Sequence, residues 1–173
     1  MKRIMSILLC FALTSCANPS YFKTSKTFKP TSWEKIAVLP FSGDARFANE
    51  MTDVFSMHLI EQDKYVVLEQ SALQDVIKKV VIKSEGNEIS IGDAQRIGQL
   101  AGVQAVILGN VNAHKTSTTL NGFATARLID VETGQVVAAS HKPSGLLIGW
   151  SEHQGVMKAV ERVAKDILSY LGK

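Results

Sequence analysis

The sequence predicts an α/β (α+β) domain with a single mixed β-sheet and packed helices, in the order β-α-β-α-α-β-β-β-α. Three observations support this prediction: buried-strand patterns alternate with amphipathic helices, a β-meander follows them, and a long amphipathic helix ends the chain. The chain has 173 residues, and 46% of them are apolar. This length and composition are typical of one globular domain and disfavour a disordered or collagenous chain.

The first half of the domain contains two predicted strands and three predicted helices. Residues 35–41 are an apolar run that suits a strand buried on both faces, and residues 65–68 predict a second strand. Between them, apolar residues recur at helical spacing over residues 51–59, and this stripe includes His58. Two capping boxes then begin two further helices: Ser71 with Gln74, and Ser90 with Asp93.

The second half predicts a β-meander and a terminal helix. Residues 105–109 are another buried-strand pattern, and the Asn-Gly pair at residues 121–122 is a strong signal for a two-residue hairpin turn. Strands over residues 123–130 and 135–139 complete the meander. A capping box at residues 151–154 begins the final helix, whose long apolar stripe needs a sheet to cover.

The start of the chain resembles a bacterial lipoprotein signal. Lys2 and Arg3 form a positive n-region, and residues 4–13 form an apolar run that is too short to span a bilayer. Residues 13–16 read Leu-Thr-Ser-Cys, with an apolar residue three places before the cysteine. The alternative is an ordinary export signal in which Cys16 is incidental.

This signal sets the predicted domain organisation: a signal peptide over residues 1–15, a lipidated tether over residues 16–32, and a globular domain over residues 33–173. Cys16 becomes the mature N-terminus, with a diacylglycerol on its sulfur and an acyl chain on its amine, and several acyl chains make such an anchor effectively permanent. Ala17 rather than Asp follows the cysteine, which resembles the outer-membrane sorting pattern. We therefore expect a lipid-anchored protein on the periplasmic face of the outer membrane.

The charge balance disfavours a nucleic-acid partner. The sequence has 19 Lys and Arg against 16 Asp and Glu, a formal net charge of +3. Lys2 and Arg3 leave with the signal, so the remainder is close to neutral. A chain that tracks phosphates carries a clear excess of positive charge.

The sequence contains no pattern typical of an active site. Cys10 leaves with the signal and Cys16 carries lipid, which excludes thiol nucleophiles, disulfides and cysteine-ligated zinc from the mature body. It has no phosphate-binding glycine loop, metal-spaced histidine cluster or nucleophile elbow. We therefore predict no catalytic residue, no metal and no cofactor beyond the lipid on Cys16.

The remaining titratable side chains have structural explanations. His114, His141 and His153 fall at predicted polar or turn positions, where solvated side chains are expected. Asp130 and Glu132 lie at a strand end and in a hairpin turn, and turn chemistry explains them better than acid–base catalysis.

Four segments together resemble the curli assembly/transport lipoprotein family (CsgG). They are KIAVLPF at residues 35–41, YVVLEQSAL at 65–73, AQRIGQLAGVQAVILGNV at 94–111 and ARLIDVETGQVV at 126–137. The resemblance covers roughly residues 34–171. It implies an α/β domain of the anticodon-binding type, which is also found in the TolB N-terminal domain and in LpoB.

The sequence departs from the pore-forming member of this family, which threads two long hairpins per subunit through the outer membrane. The corresponding stretches here are residues 111–124 and 141–150. They are too short for two pairs of membrane strands of about 9–11 residues each. We therefore expect that this chain does not form a secretion pore by itself.

The predicted function is a non-enzymatic adaptor or assembly factor for a cell-envelope machine in export or surface-structure assembly. One alternative is an activator of a peptidoglycan synthase in the manner of LpoB. A second is a ring subunit of an outer-membrane assembly, and a remote one is a small-molecule carrier or hydrolase. The expected partners are the membrane, through the lipid, and envelope proteins, including further copies of the chain.

An apolar run before the last helix is the first candidate partner contact. It contains Leu146, Leu147, Ile148 and Trp150, and apolar clusters with an aromatic anchor often mark interfaces. The alternative is that this run folds into the domain's own core. The polar hairpin at residues 115–121 is the second candidate, with an ordinary solvated loop as its alternative.

Overall fold

A computed structural model describes residues 20–28, 33–68, 70–81, 88–115, 120–144 and 151–172. Within these ranges, helices pack on a single mixed sheet of seven strands. In chain order the elements are β1 (Tyr21–Thr24), β2 (Lys35–Val38), β3 (Ser42–Gly43), α1 (Ala45–Glu61), β4 (Val66–Leu68), α2 (Gln70–Val81), α3 (Ile91–Ala101), β5 (Ala105–Lys115), β6 (Leu120–Asp130), β7 (Val136–Pro143) and α4 (Glu152–Leu171).

The sheet has a parallel half and an antiparallel half. Its strand order is β1-β7-β6-β5-β2-β4, and β3 also pairs with β5. Strands β2 and β4 are parallel, as are β2 and β5, whereas β5, β6, β7 and β1 pair antiparallel in succession. The predicted fold class, a single mixed sheet with packed helices, is therefore confirmed.

Helices cover both faces of the sheet, and each face has its own apolar core. On one face, α1 and α4 cover Ile36, Val38, Ala105 and Ile107 of the central strands. On the opposite face, α2 and α3 cover side chains that alternate with these along the same strands. The buried sheet-facing residues of α4 are Val156, Ala159, Val160, Val163, Ala164, Ile167 and Leu171.

Two of the three predicted capping boxes are present. The Ser90 side chain accepts a hydrogen bond from the Asp93 amide at the start of α3, and Ser151 accepts one from the Gln154 amide at the start of α4. Helix α2 instead begins at Gln70, so Ser71 lies inside the helix. The predicted cap at Ser71 is therefore wrong by at least one residue.

The predicted Asn-Gly hairpin turn is also wrong. Asn121 and Gly122 lie inside β6, where they pair with His114 and Ala113 of β5. The pairing of β5 with β6 continues to Lys115 and Leu120, so the two strands are connected through residues 116–119, which lie outside the described part of the chain. The long ladder of backbone hydrogen bonds overrides the local turn preference of an Asn-Gly pair.

Part of the predicted tether is a strand of the sheet. Tyr21–Thr24 forms the edge strand β1, and the aromatic rings of Phe22 and Phe28 pack against the core beneath α4. Tyr170 of α4 donates a hydrogen bond to the Phe28 carbonyl at 3.0 Å. Residues 21–28 of the predicted tether are therefore packed on the domain, because their aromatic side chains have a surface to bury against.

We predict that Gly109→Ala lowers the free energy of unfolding by about 1–3 kcal/mol, because a Cβ there would overpack the core. It would clash with the Phe41 ring. Urea unfolding measures the loss. Gly92→Ala is the control, because its Cβ would meet only Ser90 Oγ, at 3.8 Å, and a helical alanine is neutral or stabilising. Equal losses in the two variants would contradict this packing.

Candidate interaction surface

Part of the sheet face that carries α2 and α3 remains exposed near β6 and β7. Helix α3 packs on β5 and β6 over Val106 and Ile129. Because side chains alternate along a strand, the same face continues through residues 123, 125 and 127 of β6. We call this region the open face; it comprises Tyr21, Asn110, Phe123, Thr125, Arg127 and His141.

An aromatic row crosses the open face from β6 to the sheet edge. The His141 ring stacks on Tyr21 at 5.2 Å between ring centroids, with an angle of 15° between the planes. On its other side, His141 meets Phe123 at 5.3 Å. Tyr21 is 44% exposed, whereas His141 is only partly accessible. The row therefore offers a partly apolar surface with one edge in solvent.

Partial burial favours the neutral form of His141. Burial lowers the pKa of its imidazole, and Nδ1 lies 2.9 Å from the Thr125 hydroxyl. The expectation of a solvated side chain is wrong for this histidine. Its position in β7, between strands that carry Tyr21 and Phe123, accounts for the difference.

A shallow depression of about 250 Å³ lies beside the aromatic row. Within it, the Ser42 hydroxyl donates to the Gly109 carbonyl at 3.3 Å, and the Asn110 side-chain amide donates to Ser42 at 3.0 Å. Ser42 is therefore bonded to amide groups and not to a base that could activate it. The depression is lined by Ser42, Glu88, Ile89, Leu108, Gly109, Asn110, Phe123, Thr125 and Arg127.

His58 and His153 each pair with one carboxylate on the surface. His153 Nε2 lies 2.7 Å from a carboxylate oxygen of Glu50, and His58 Nδ1 lies 3.1 Å from one of Glu61. Among the described residues, His, Cys, Asp and Glu side chains form no group of three that could hold a metal ion.

Asp130 has the structural role that the sequence predicts. Its Oδ1 accepts hydrogen bonds from the Thr133 amide at 2.8 Å and the Thr133 hydroxyl at 2.6 Å. Its Oδ2 accepts one from the Trp33 indole at 3.3 Å. The carboxylate therefore stabilises the β6–β7 turn and binds the Trp33 side chain at the start of the domain.

The predicted lipidation and contact residues lie outside the described part of the chain. These are Cys16, Leu146, Leu147, Ile148 and Trp150. No helix in the described ranges has the length and apolar character needed to cross a membrane.

The aromatic row is the feature that sequence reasoning missed. A weak local signal exists, because residues 21–24 read Tyr-Phe-Lys-Thr and such residues favour strands. Nothing local, however, indicates that Tyr21 lies opposite His141. That contact depends on the pairing of strands from the two ends of the chain.

Comparison with known proteins identifies the domain type. The profile of the family described as curli production assembly/transport component CsgG matches residues 13–125. A comparison with curated proteins finds no match.

Three solved structures have a similar fold. A PelC dodecamer from Paraburkholderia phytofirmans is similar at 14% identity and a TM-score of 0.54, over 86% of this chain and 97% of that one. Lipoprotein GNA1162 from Neisseria meningitidis is 18% identical with a TM-score of 0.51, over 79% and 98%. The LpoB C-terminal domain from Salmonella enterica is 13% identical with a TM-score of 0.50, over 69% and 86%.

We predict that His141 makes stability depend on pH in the acidic range. The lowered pKa means that the unfolded chain binds a proton more readily than the folded chain. Above the ordinary histidine pKa of about 6.5, His141 is neutral in the folded and the unfolded chain, and its full contribution to the free energy of unfolding is present. As the pH falls below this value, the unfolded chain takes up a proton first, so the free energy of unfolding decreases. Urea unfolding between pH 7.5 and 5 measures this slope.

The His141→Gln variant is expected to lose this part of the slope. His153→Gln is the matched control, because His153 is exposed and pairs with Glu50. The same slope in the parent protein and in His141→Gln would show that His141 does not titrate differently in the two states.

Proposed function

Because the chain belongs to the CsgG family, we propose that it is a non-enzymatic adaptor or assembly factor for a cell-envelope machine. The family match supports an accessory role in the envelope. The observation that carries the proposal is the open face, where partly exposed aromatic side chains lie beside polar ones. Partly exposed aromatic residues with polar neighbours are typical of partner contacts.

The anchor is part of the same proposal. Residues 1–15 are the signal peptide, and Cys16 carries the diacylglycerol and the N-linked acyl chain. This arrangement holds the domain on the periplasmic face of the outer membrane. The lipoprotein pattern at residues 13–16 supports it.

A ring subunit is the second candidate. PelC, which has a similar fold, forms a dodecamer. Strands β1 and β4 lie at the two edges of the described sheet, where backbone groups are available for pairing with another chain. Native mass spectrometry of the lipidated protein in detergent distinguishes a ring from a monomer that binds other proteins.

A synthase activator and a small-molecule protein have less support from the fold. A peptidoglycan synthase activator that reaches through the murein needs a long free tether, and residues 21–28 are packed on the domain. The depression beside Asn110, at about 250 Å³, is smaller than the sites of roughly 300–1,000 Å³ that usually bind small molecules, so it does not favour a carrier or hydrolase.

We predict that in-cell crosslinking followed by affinity capture recovers a discrete set of envelope proteins with the full-length, lipidated protein. Cys16→Ala is expected to lose these proteins, because the domain is no longer held where they lie. Mass spectrometry identifies them. Recovery of the same proteins with Cys16→Ala would contradict an anchored adaptor, and an absence of partners with the parent would overturn the adaptor itself.

Two charge-reversal variants test the open face in the same experiment. Arg127→Glu is expected to lower the recovered partner at least fivefold, because it reverses an exposed charge on that face. Lys78→Glu is the matched control on α2, where the side chain is also exposed. Equal recovery with the two variants would show that the partner binds elsewhere.

The sequence-based contact at Leu146, Leu147, Ile148 and Trp150 remains a second proposed partner surface. Trp150→Ala is expected to weaken partner binding about 30-fold, the loss typical of an interface hot spot of about 2 kcal/mol. Leu100→Ala is the control, because Leu100 is an exposed apolar residue of α3. Titration of the purified partner measures both affinities, and unchanged binding by Trp150→Ala would exclude this surface.

A further inference from the structure

We propose that packing of residues 20–28 on the sheet shortens the link to the lipid and holds one end of the domain against the headgroups of the bilayer. This end, which we call the proximal end, comprises the start of β1 and the paired ends of β5 and β6. The inference rests on the proposed lipid anchor at Cys16. It adds the orientation of the domain and the membrane surface as a contact.

Backbone pairing integrates β1 into the domain. Tyr21, Phe22, Lys23 and Thr24 lie opposite residues 141 to 138 of β7 in continuous register. The Ser25 amide extends this ladder with a hydrogen bond of 2.7 Å to the Val137 carbonyl. Strand β1 is therefore an edge strand of the sheet and not an unpaired N-terminal segment.

Side chains fix the same segment on both faces of the sheet. Tyr21 stacks on His141 on the open face, and Phe22 packs against the core on the opposite face. Phe28 meets the Trp33 ring at 5.3 Å, and its carbonyl accepts the Tyr170 hydroxyl. Release of residues 20–28 would expose these aromatic surfaces to water, which opposes a long free tether.

The packed segment limits how far the domain can lie from its lipid. Tyr21 follows Cys16 by five positions, and this link reaches at most about 18 Å when fully extended. If residues 20–28 were free, the link would run from Cys16 to Trp33 and could reach about 55–60 Å. Packing therefore reduces the reach to about a third.

The proximal end lies within this shorter reach. Tyr21 is opposite His141, which is opposite Thr125 of β6. From Thr125, β6 extends five more residues to Leu120, a distance of about 17 Å at the rise of a strand. The paired ends of β5 and β6 therefore project past Tyr21, in the direction from which the chain arrives, by about the length of the link.

The chemistry of the proximal end suits headgroups better than acyl chains. Asn112 and His114 of β5 are exposed and polar. Polar side chains of this kind suit the hydrated headgroup region of a bilayer and not its acyl core. The β6–β7 turn lies at the opposite end of these strands and carries the exposed Glu132.

Spin labels at the two ends of the sheet test this orientation. Single variants His114→Cys and Glu132→Cys of the lipidated protein are labelled and reconstituted into vesicles of phosphatidylethanolamine and phosphatidylglycerol. A small fraction of the lipids carries a nickel-chelating headgroup, which relaxes nearby spins. We expect at least fivefold stronger relaxation at residue 114 than at residue 132.

A longer link provides the matched control. Twelve Gly and Ser residues inserted after Ala17 leave β1 and the rest of the domain unchanged. The relaxation at residue 114 is then expected to fall to within twofold of that at residue 132. Persistence of the fivefold difference would overturn the short link as its cause.

The readouts separate this inference from the proposed function. Mass spectrometry of the same samples reports the acyl mass on Cys16, and its absence overturns the anchor together with this inference. A lipidated protein that gives equal relaxation at both labels overturns the inference alone. The adaptor role is then still judged by the crosslinking result.

Discussion

The fold depends on strand β5, which joins the parallel and antiparallel halves of the sheet. It pairs with β2 and β3 on one side and with β6 along its whole length on the other. Its side chains enter both cores in alternation, with Ile107 beneath α1 and α4 and Leu108 on the face of α2 and α3. A slip of one residue would reverse both assignments, so burial on two faces specifies the register.

Sequence reasoning succeeds where the determining contacts are local or periodic. The stripe of α4 and the caps at Ser90 and Ser151 could be predicted because each is contained within a few helical turns. The buried central strands could be predicted because coverage on both faces leaves an unbroken apolar run. The Asn-Gly turn failed because a local preference competed with a long ladder and lost.

The open face could not be predicted in the same way. Its aromatic row joins Tyr21 near the start of the chain to Phe123 and His141 on two strands of the meander. The sequence shows each of these residues as an isolated side chain in a polar context, and only the pairing of β1 with β7 brings them together. The lipid site at Cys16 and the apolar run before α4 could be proposed from the sequence, because each pattern lies within a short stretch of the chain.

The packing of β1 limits how far the domain can lie from the proposed lipid, and this distance limits which partners the domain can reach. Aromatic burial and backbone pairing hold residues 20–28 of the apparent tether on the domain, which leaves a short connection to the proposed lipid. A domain held in this way is suited to partners at the membrane surface. The open face begins at that same strand, so contact with a partner and attachment of β1 share Tyr21 and His141.

Amide hydrogen exchange of β1 in the mature, lipidated protein tests whether residues 20–28 belong to the sheet. The hydrogen bond from the Ser25 amide to Val137 sets the phase of the antiparallel ladder, in which inward and outward amides alternate. We expect slow exchange at Lys23 and Ser25 and fast exchange at Phe22 and Thr24. Exchange of all four amides at the rate of an unstructured peptide would contradict this expectation, because residues 20–28 would then be a free tether.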